Sequence, residues 1–591
     1  MRPDNKFSRL RWLAVMAVLA MVAAACGGSP SGTSSEAGGS EAGGSEAGGS
    51  EAGGSEAGGS EQAAGGEATE TMVFGTSADP VILDGALVSD GESLRAIDQM
   101  FEGLVTLAPG GTDVVPGLAT DWEVSDNGQA YTFTLQEGVT FHDGEPFNAD
   151  AVCFNFDRWY NFEGSFQNPA ATYYWQTVFG GFAETDPDSG APEDSLFDSC
   201  EATSDTEVTI NLTKPSSSFL PAMALTNFTM ASPAALEQYK ADEGRVNAEG
   251  IFNASGTYGT EHPTGTGPFM FSEWIRGDRL VMERNPDYWG DAPGNIGTLI
   301  FRPTDPAAQL QALQTGEING YDLVSPEDFE TIEGDDQFQL LTRPAFNIGY
   351  VGINQAVKPL QDIEVRKALA HAIDRQEVVD GFYGGQGVVA KEFMPPEVFG
   401  YADDVAEYAY DPEMSKQILT DAGYDLPVKI DFAYPTDVSR PYMPDPQANF
   451  EAMVADLNEA GFDVQTKSAI WSPDYLDNVD NGRYGLYLLG WTGDFGDPDN
   501  FIGTFFQSQQ KAWGFENQEI FDKLDEAEVE TSQERRVELY EEANRLIMDF
   551  LPGIPYVHTE PALAFTANVQ GYQTSPVSLE PFSVVTIEGG S

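Results

Sequence analysis

Two spacings of apolar residues alternate along this chain: every second position in short segments, and every third or fourth in longer ones. The first period is that of a strand with one buried face, the second that of a helix with one buried stripe. YTFTL (131–135) sets Tyr131, Phe133 and Leu135 on one side, and EVTINL (207–212) does the same with Val208, Ile210 and Leu212, so both read as strands. KIDFAY and YGLYLL are further strand candidates. Helices announce themselves by their ends. Asp305 is an N-cap ahead of Pro306, Leu310 and Leu313 face inward, and Gly316 terminates; Asp411, Pro412, Ile418, Leu419, Ala422 and Gly423 repeat that grammar. Val365, Ala368, Leu369, Ala372 and Ile373 form one helix face. Thr531 and Glu534 have capping-box spacing ahead of Leu539, Ala543, Leu546, Ile547 and Phe550. The pattern predicts a mixed α/β architecture, and 591 residues suffice for two to four domains with a large core.

The first 70 residues lack either period. Residues 1–25 start with Arg2, Lys6, Arg9 and Arg11 and continue as WLAVMAVLAMVAAA, a basic then apolar order that reads as a secretory signal; the apolar run is short for a membrane span. Ala23, Ala24 and Ala25 precede Cys26, and Gly27 and Gly28 follow, which resembles the lipobox of bacterial lipoproteins and implies a lipidated Cys26. SEAGG then recurs five times from Ser35 to Gly59. With nothing to bury and a Glu in every repeat, residues 26–70 are expected to be a self-repelling tether with a reach of roughly 35 Å.

Charge narrows the choice of partner. A formal net charge of −66, from 95 acidic and 29 basic residues, excludes nucleic acid, whose phosphates need Lys and Arg. Beyond Cys26 the chain has Cys153 and Cys200, which in an exported protein are expected to pair as a disulfide. No CxxC, Cys/His cluster, G-x-S-x-G, H-E-x-x-H or Walker loop is present, so no metal and no cofactor is expected. GGQGVVA (384–390) contains G-x-G-x-x-A, but it follows a helix pattern, and His142, His262, His371 and His558 are scattered. The acidic run 184–198 lacks the Gly and Glu positions of an EF-hand loop.

Several longer blocks carry a resemblance. PGLATDWEVSDNGQAYTFTLQEGVTFHDGEPFNADAVCFNFDRW (116–159), PTGTGPFMFSEWIRGDRLVMERNPDYWG (263–290), DIEVRKALAHAIDRQEVVDGFYGG (362–385) and YDPEMSKQILTDAGY (410–424) resemble, in order, blocks of the extracytoplasmic solute-binding proteins of peptide ABC importers. GWTGDFGDPDNF (490–501) is most similar to the dipeptide-binding branch. The resemblance implies a two-lobed periplasmic-binding-protein-like α/β fold, a Venus flytrap, with a discontinuous large lobe (71–347 and 559–591), a small lobe (348–558) and a hinge of two chain crossings near 344–354 and 555–565.

It also implies chemistry. A peptide enclosed between lobes presents an ammonium and a carboxylate, each costly to desolvate unless paired. In the dipeptide branch an Asp of the G-W-x-x-D block meets the ammonium, which falls here on Asp494; an Arg of an R-P-Y segment meets the carboxylate, which falls on Arg440. A guanidinium suits that task through its two parallel donors. Trp491 and Phe495 are placed to line the ammonium end, and Asp497 and Asp499 are expected to shape the turn around Pro498. The implied protein is a non-enzymatic, lipid-anchored, extracytoplasmic monomer that hands short peptides to a membrane permease. Relatives of the same scaffold take oligopeptides, nickel chelates, haem or oligosaccharides. A secreted hydrolase with two carboxylates about 5 to 9.5 Å apart is the alternative of another class.

Overall fold

A computed structural model of the chain describes residues 68–183, 195–247 and 251–589. The secretory signal, Cys26, nearly all of the tether and most of the acidic run 184–198 lie outside the described residues. Two sheets divide the rest. One has seven strands in the order Phe269–Ile275, Arg279–Arg284, Ile296–Pro303, Glu70–Thr76, Gly320–Asp322, Ala562–Thr566, Phe338–Thr342. The other has six, in the order Gly387–Val388, Gly553–Thr559, Asn347–Ile353, Leu486–Thr492, Val428–Pro435, Phe462–Ala469. Each mixes parallel and antiparallel pairs and is packed with helices, so the molecule is a two-lobed α/β protein.

The chain passes between the sheets twice. It leaves the seven-stranded sheet after Thr342 and enters the other at Asn347, then leaves that one after Thr559 and returns at Ala562. The crossings are bonded to each other: Arg343 N donates to Pro561 O at 2.9 Å, and Asn347 Nδ2 to Thr559 O at 2.9 Å, while Asn347 Oδ1 accepts the Thr559 N–H at 3.0 Å. The strands that lead in and out, Asn347–Ile353 and Gly553–Thr559, are buried at every residue. A strand covered on both faces needs residues that are apolar, Gly or hydrogen-bonded, as Asn347, His558 and Thr559 are, which is why neither shows alternation.

Each lobe has its own apolar core, built in one around Phe74, Phe301, Phe565 and Phe582 and in the other around Tyr350, Phe393, Phe505 and Trp513. YTFTL and EVTINL pair antiparallel within a four-stranded sheet of the first lobe, with Tyr131 opposite Ile210 and Phe133 opposite Val208. Cys153, on the helix Ala149–Tyr160, is disulfide-bonded to Cys200 on the strand Phe197–Ser204, with Cα atoms 5.3 Å apart.

Two local expectations change. The cap of the helix Gln533–Phe550 is Ser532, whose hydroxyl accepts the Arg535 N–H, and not Thr531; Thr531 N is held by Glu530 Oε1 instead. Of the face from Val365 to Ile373, Val365, Ala368, Leu369 and Ala372 lie on the helix Ile363–Ala372, Ile373 is the extended residue that ends it, and Asp374 caps a second helix, Arg375–Phe382. Among the described residues no helix is long and apolar enough to cross a membrane.

Candidate functional site

The strand Leu486–Thr492 delivers the sharp turn that follows it to the space between the lobes. It lies antiparallel to Asn347–Ile353, and two glycines at its end permit close approach. A Cβ on Gly490 would lie 2.3 Å from both Ile348 O and the Tyr442 ring, and one on Gly493 would lie 2.2 Å from Phe346. The backbone beyond is set by Asn500. Its Oδ1 accepts the Asp494 N–H at 2.7 Å, and its Nδ2 donates to Asp494 Oδ2 at 3.0 Å. The other carboxylate oxygen, Oδ1, accepts from Tyr174 Oη at 2.9 Å, and Tyr174 belongs to the first lobe. Asp494 therefore holds a neutral bond across the cleft and, among the described residues, has no cationic partner. Burial pushes its carboxyl up to about 6, against the opposing pull of the Asn500 and Tyr174 hydrogen bonds.

Arg440 comes from a different part of the second lobe. Its backbone exchanges hydrogen bonds with Met443 (3.1 and 2.9 Å), and Thr559 Oγ1 donates to Pro441 O at 2.7 Å, which ties this turn to the second crossing. The guanidinium stands 4.6 Å from the Trp471 ring centre. Its Nε is buried with no hydrogen-bond partner, and no carboxylate among the described residues forms an ion pair with it. A buried donor left empty is costly enough to require explanation.

Asp494, Trp491 and Arg440 line one chamber of about 390 Å³ between the lobes, closed from the first lobe by Asp98, Tyr174 and Arg343. A second chamber of about 790 Å³, lined by residues such as Tyr321, Phe329, Tyr383 and Glu560, adjoins the first and shares Arg440, Pro441 and Asp322 with it. Arg440 thus stands at the junction of the two spaces. Asp494 and Arg440, distant in sequence, are brought to one cleft.

Of the other expected residues, Trp491 joins this pair and Phe495 does not. Phe495 does not line the chamber: it is 6% exposed and packs into the apolar core of the first lobe, because the turn projects beyond its own lobe there. Trp491 lines the chamber with its Nε1 donating to Asn500 Oδ1 at 3.3 Å. Asp497 accepts the Asp499 N–H at 3.0 Å and pairs with Arg536 at 2.7 Å, fully buried. Burial also raises the Asp499 carboxyl, to about 7, with the Asp497 charge adding to the effect. Sequence reasoning missed Tyr174, Asn500 and Arg536. Asn500 carried a faint local signal as the polar end of GDPDN; Tyr174 and Arg536 carried none, being far away in the chain. Among the described residues no group of three or more His, Cys, Asp or Glu is arranged to hold a metal.

Comparison with known proteins agrees with this architecture. A model of the bacterial extracellular solute-binding proteins, family 5, matches residues 113–513. The dipeptide-binding protein of Escherichia coli (strain K12) is 32% identical over 535 residues, covering 88% of this chain and 95% of that protein. Heme-binding protein A of Haemophilus influenzae is 29% identical, covering 88% of this chain and 93% of that one. Among solved structures, the dipeptide binding protein from Pseudoalteromonas sp. SM9913 in complex with Met-Leu superposes with a TM-score of 0.73 at 27% identity, covering 88% of this chain and all of that one.

Proposed function

The chain belongs to the bacterial extracellular solute-binding proteins of family 5, and from that premise we propose that it captures short peptides, dipeptides above all, and delivers them to the membrane permease of an ABC importer. The ligand occupies the chamber between the lobes. Its ammonium meets Asp494 and its carboxylate meets Arg440, so that peptide length is read from the distance between two fixed charges. Trp491 covers the ammonium end.

One observation carries this reading: an acid without a cation and a guanidinium without an anion line the same cleft between the lobes. A buried carboxylate without a cation and a guanidinium whose Nε finds no partner each call for an opposite charge, and a zwitterion supplies both at once. The relative from E. coli is a dipeptide-binding protein and the solved relative from Pseudoalteromonas holds Met-Leu, which favours the same ligand class here. Closure is ligand-dependent when a peptide held by Asp494 and Arg440 of the second lobe is also met by the first lobe, on the side where Tyr174 reaches Asp494. Delivery follows from docking of the closed form on the permease. We place the protein on the extracytoplasmic face of the membrane as a monomer, held by lipid on Cys26.

Isothermal titration against dipeptides, tripeptides, longer peptides, a nickel chelate, haem and an oligosaccharide tests the ligand class. Saturable binding of dipeptides, without release of free amino acids, is expected. Preference for haem or a chelate over every peptide, or hydrolysis of the peptide, overturns the reading. Mass spectrometry of the N-terminal fragment from membranes tests the anchor, with an unmodified Cys26 as the refuting result.

A further inference from the structure

The charges on the chamber wall do not balance once a zwitterion is seated. Asp98, just past the helix Gly91–Ile97 of the first lobe, lines the same chamber as Asp494. Its carboxylate accepts one hydrogen bond, from Thr226 Oγ1, and forms no ion pair among the described residues. The two first-lobe guanidiniums that line this chamber, Arg95 and Arg343, are already committed. Arg343 meets Asp322 at 2.6 Å and Glu580 at 2.6 Å, both of them buried contacts. Arg95 is shared among Asp322, Glu92 (3.3 Å) and Glu580 (3.5 Å). On the first-lobe side two guanidiniums thus answer the carboxylates of Glu92, Asp98 and Asp322 on the wall and of Glu580 behind it, while the second-lobe wall sets Arg440 against Asp494.

A neutral dipeptide answers Asp494 and Arg440 and leaves Asp98 facing the ligand with three of its roughly four acceptor positions unfilled. A carboxylate covered by a bound peptide and left without a cation is unfavourable. Building on the peptide-binding reading above, we propose that Asp98 receives a second cationic group of the ligand, so that the site selects short peptides bearing a basic side chain, of Lys or Arg type. Burial pushes the Asp98 carboxyl up to about 7, its Thr226 hydrogen bond and the nearby Arg95 only partly opposing this, as befits an acid that lacks a counter-charge. The −66 net charge of the chain draws cationic ligands in the same direction at long range, an effect that salt screens.

The test is a titration series of Ala-Ala, Lys-Ala, Ala-Lys and Glu-Ala, with norleucine in place of lysine as the uncharged control for the alkyl stem. In the unaltered protein the better lysine peptide is expected to bind at least about tenfold more tightly than its norleucine counterpart, and Glu-Ala more weakly than Ala-Ala. In Asp98→Asn the ratio of lysine to norleucine affinity is expected to collapse toward one, a readout indifferent to any overall change in affinity. A ratio near one in the unaltered protein, or a ratio that persists in Asp98→Asn, overturns the proposal while leaving peptide binding standing. If no peptide in the series binds, both readings fall together.

Discussion

Replacing Asp494 by Asn keeps the shape of the side chain and removes its charge, and the structure assigns opposite signs to the two consequences. Burial pushes the Asp494 carboxyl up to about 6 from its ordinary 3.8. That difference corresponds to at most about 3 kcal/mol against the ionised form, less for the part of the carboxylate open to the chamber. An amide escapes this penalty and retains its neutral partners, since the Tyr174 hydroxyl can turn to accept where it now donates. Asp494→Asn is therefore expected to raise the melting temperature of the ligand-free protein at pH 8. Because the folded pKa lies above the unfolded one, the penalty on the wild type is full above about pH 6 and fades as pH falls toward 4, so the advantage of the variant fades over the same interval. Binding moves the other way. Removing one member of a buried charge pair costs about 2 to 5 kcal/mol, roughly thirty-fold to several-thousand-fold in affinity for a dipeptide. Scanning fluorimetry without ligand and calorimetric titration with Ala-Ala measure the two halves. Asp497→Asn is the control, since it strands Arg536 and is expected to destabilise the protein by about 3 to 5 kcal/mol, with less effect on the affinity of the folded fraction. An Asp494→Asn protein that melts below the wild type at pH 8, or binds Ala-Ala within threefold of it, refutes the argument.

Arg440→Gln breaks no ion pair among the described residues and gives up only its stacking on Trp471, about 0.5 to 1 kcal/mol, so stability should hardly change while the preference for a dipeptide over its C-terminal amide disappears in titrations. Tyr174→Phe removes a hydrogen bond that favours ionised Asp494, so the pH below which dipeptide binding weakens should move up from about 6; an unchanged midpoint contradicts the role given to Tyr174. Opening the Cys153–Cys200 bridge by paired Ser substitutions frees a 47-residue separation, and the chain-entropy estimate is a loss of about 4 kcal/mol, visible as a lower melting temperature.

Periodicity and caps in the sequence were enough to place the strands around Tyr131 and Val208, the helices that begin after Asp305 and Asp411, and the mixed α/β class, because each of those signals is written within a few residues. The capping residue of the helix at Gln533 was misplaced by one, since Ser532 and Thr531 are chemically equivalent caps and only the path of the chain chooses between them. Asp494 and Arg440 were singled out from their motifs, but nothing in the motifs distinguished a carboxylate awaiting a ligand from one already paired. Asp497 and Asp494 stand three residues apart in the same turn, and the fold gives one a buried arginine and sets the other on the wall of the cleft. Phe495 beside them was claimed by the opposite lobe's core. Local order is decided by short-range backbone sterics and the burial period, which a sequence displays directly. Whether a charge finds a partner depends on which distant segments arrive within about 4 Å of it, and interactions at that range are settled only when the whole chain has closed on itself.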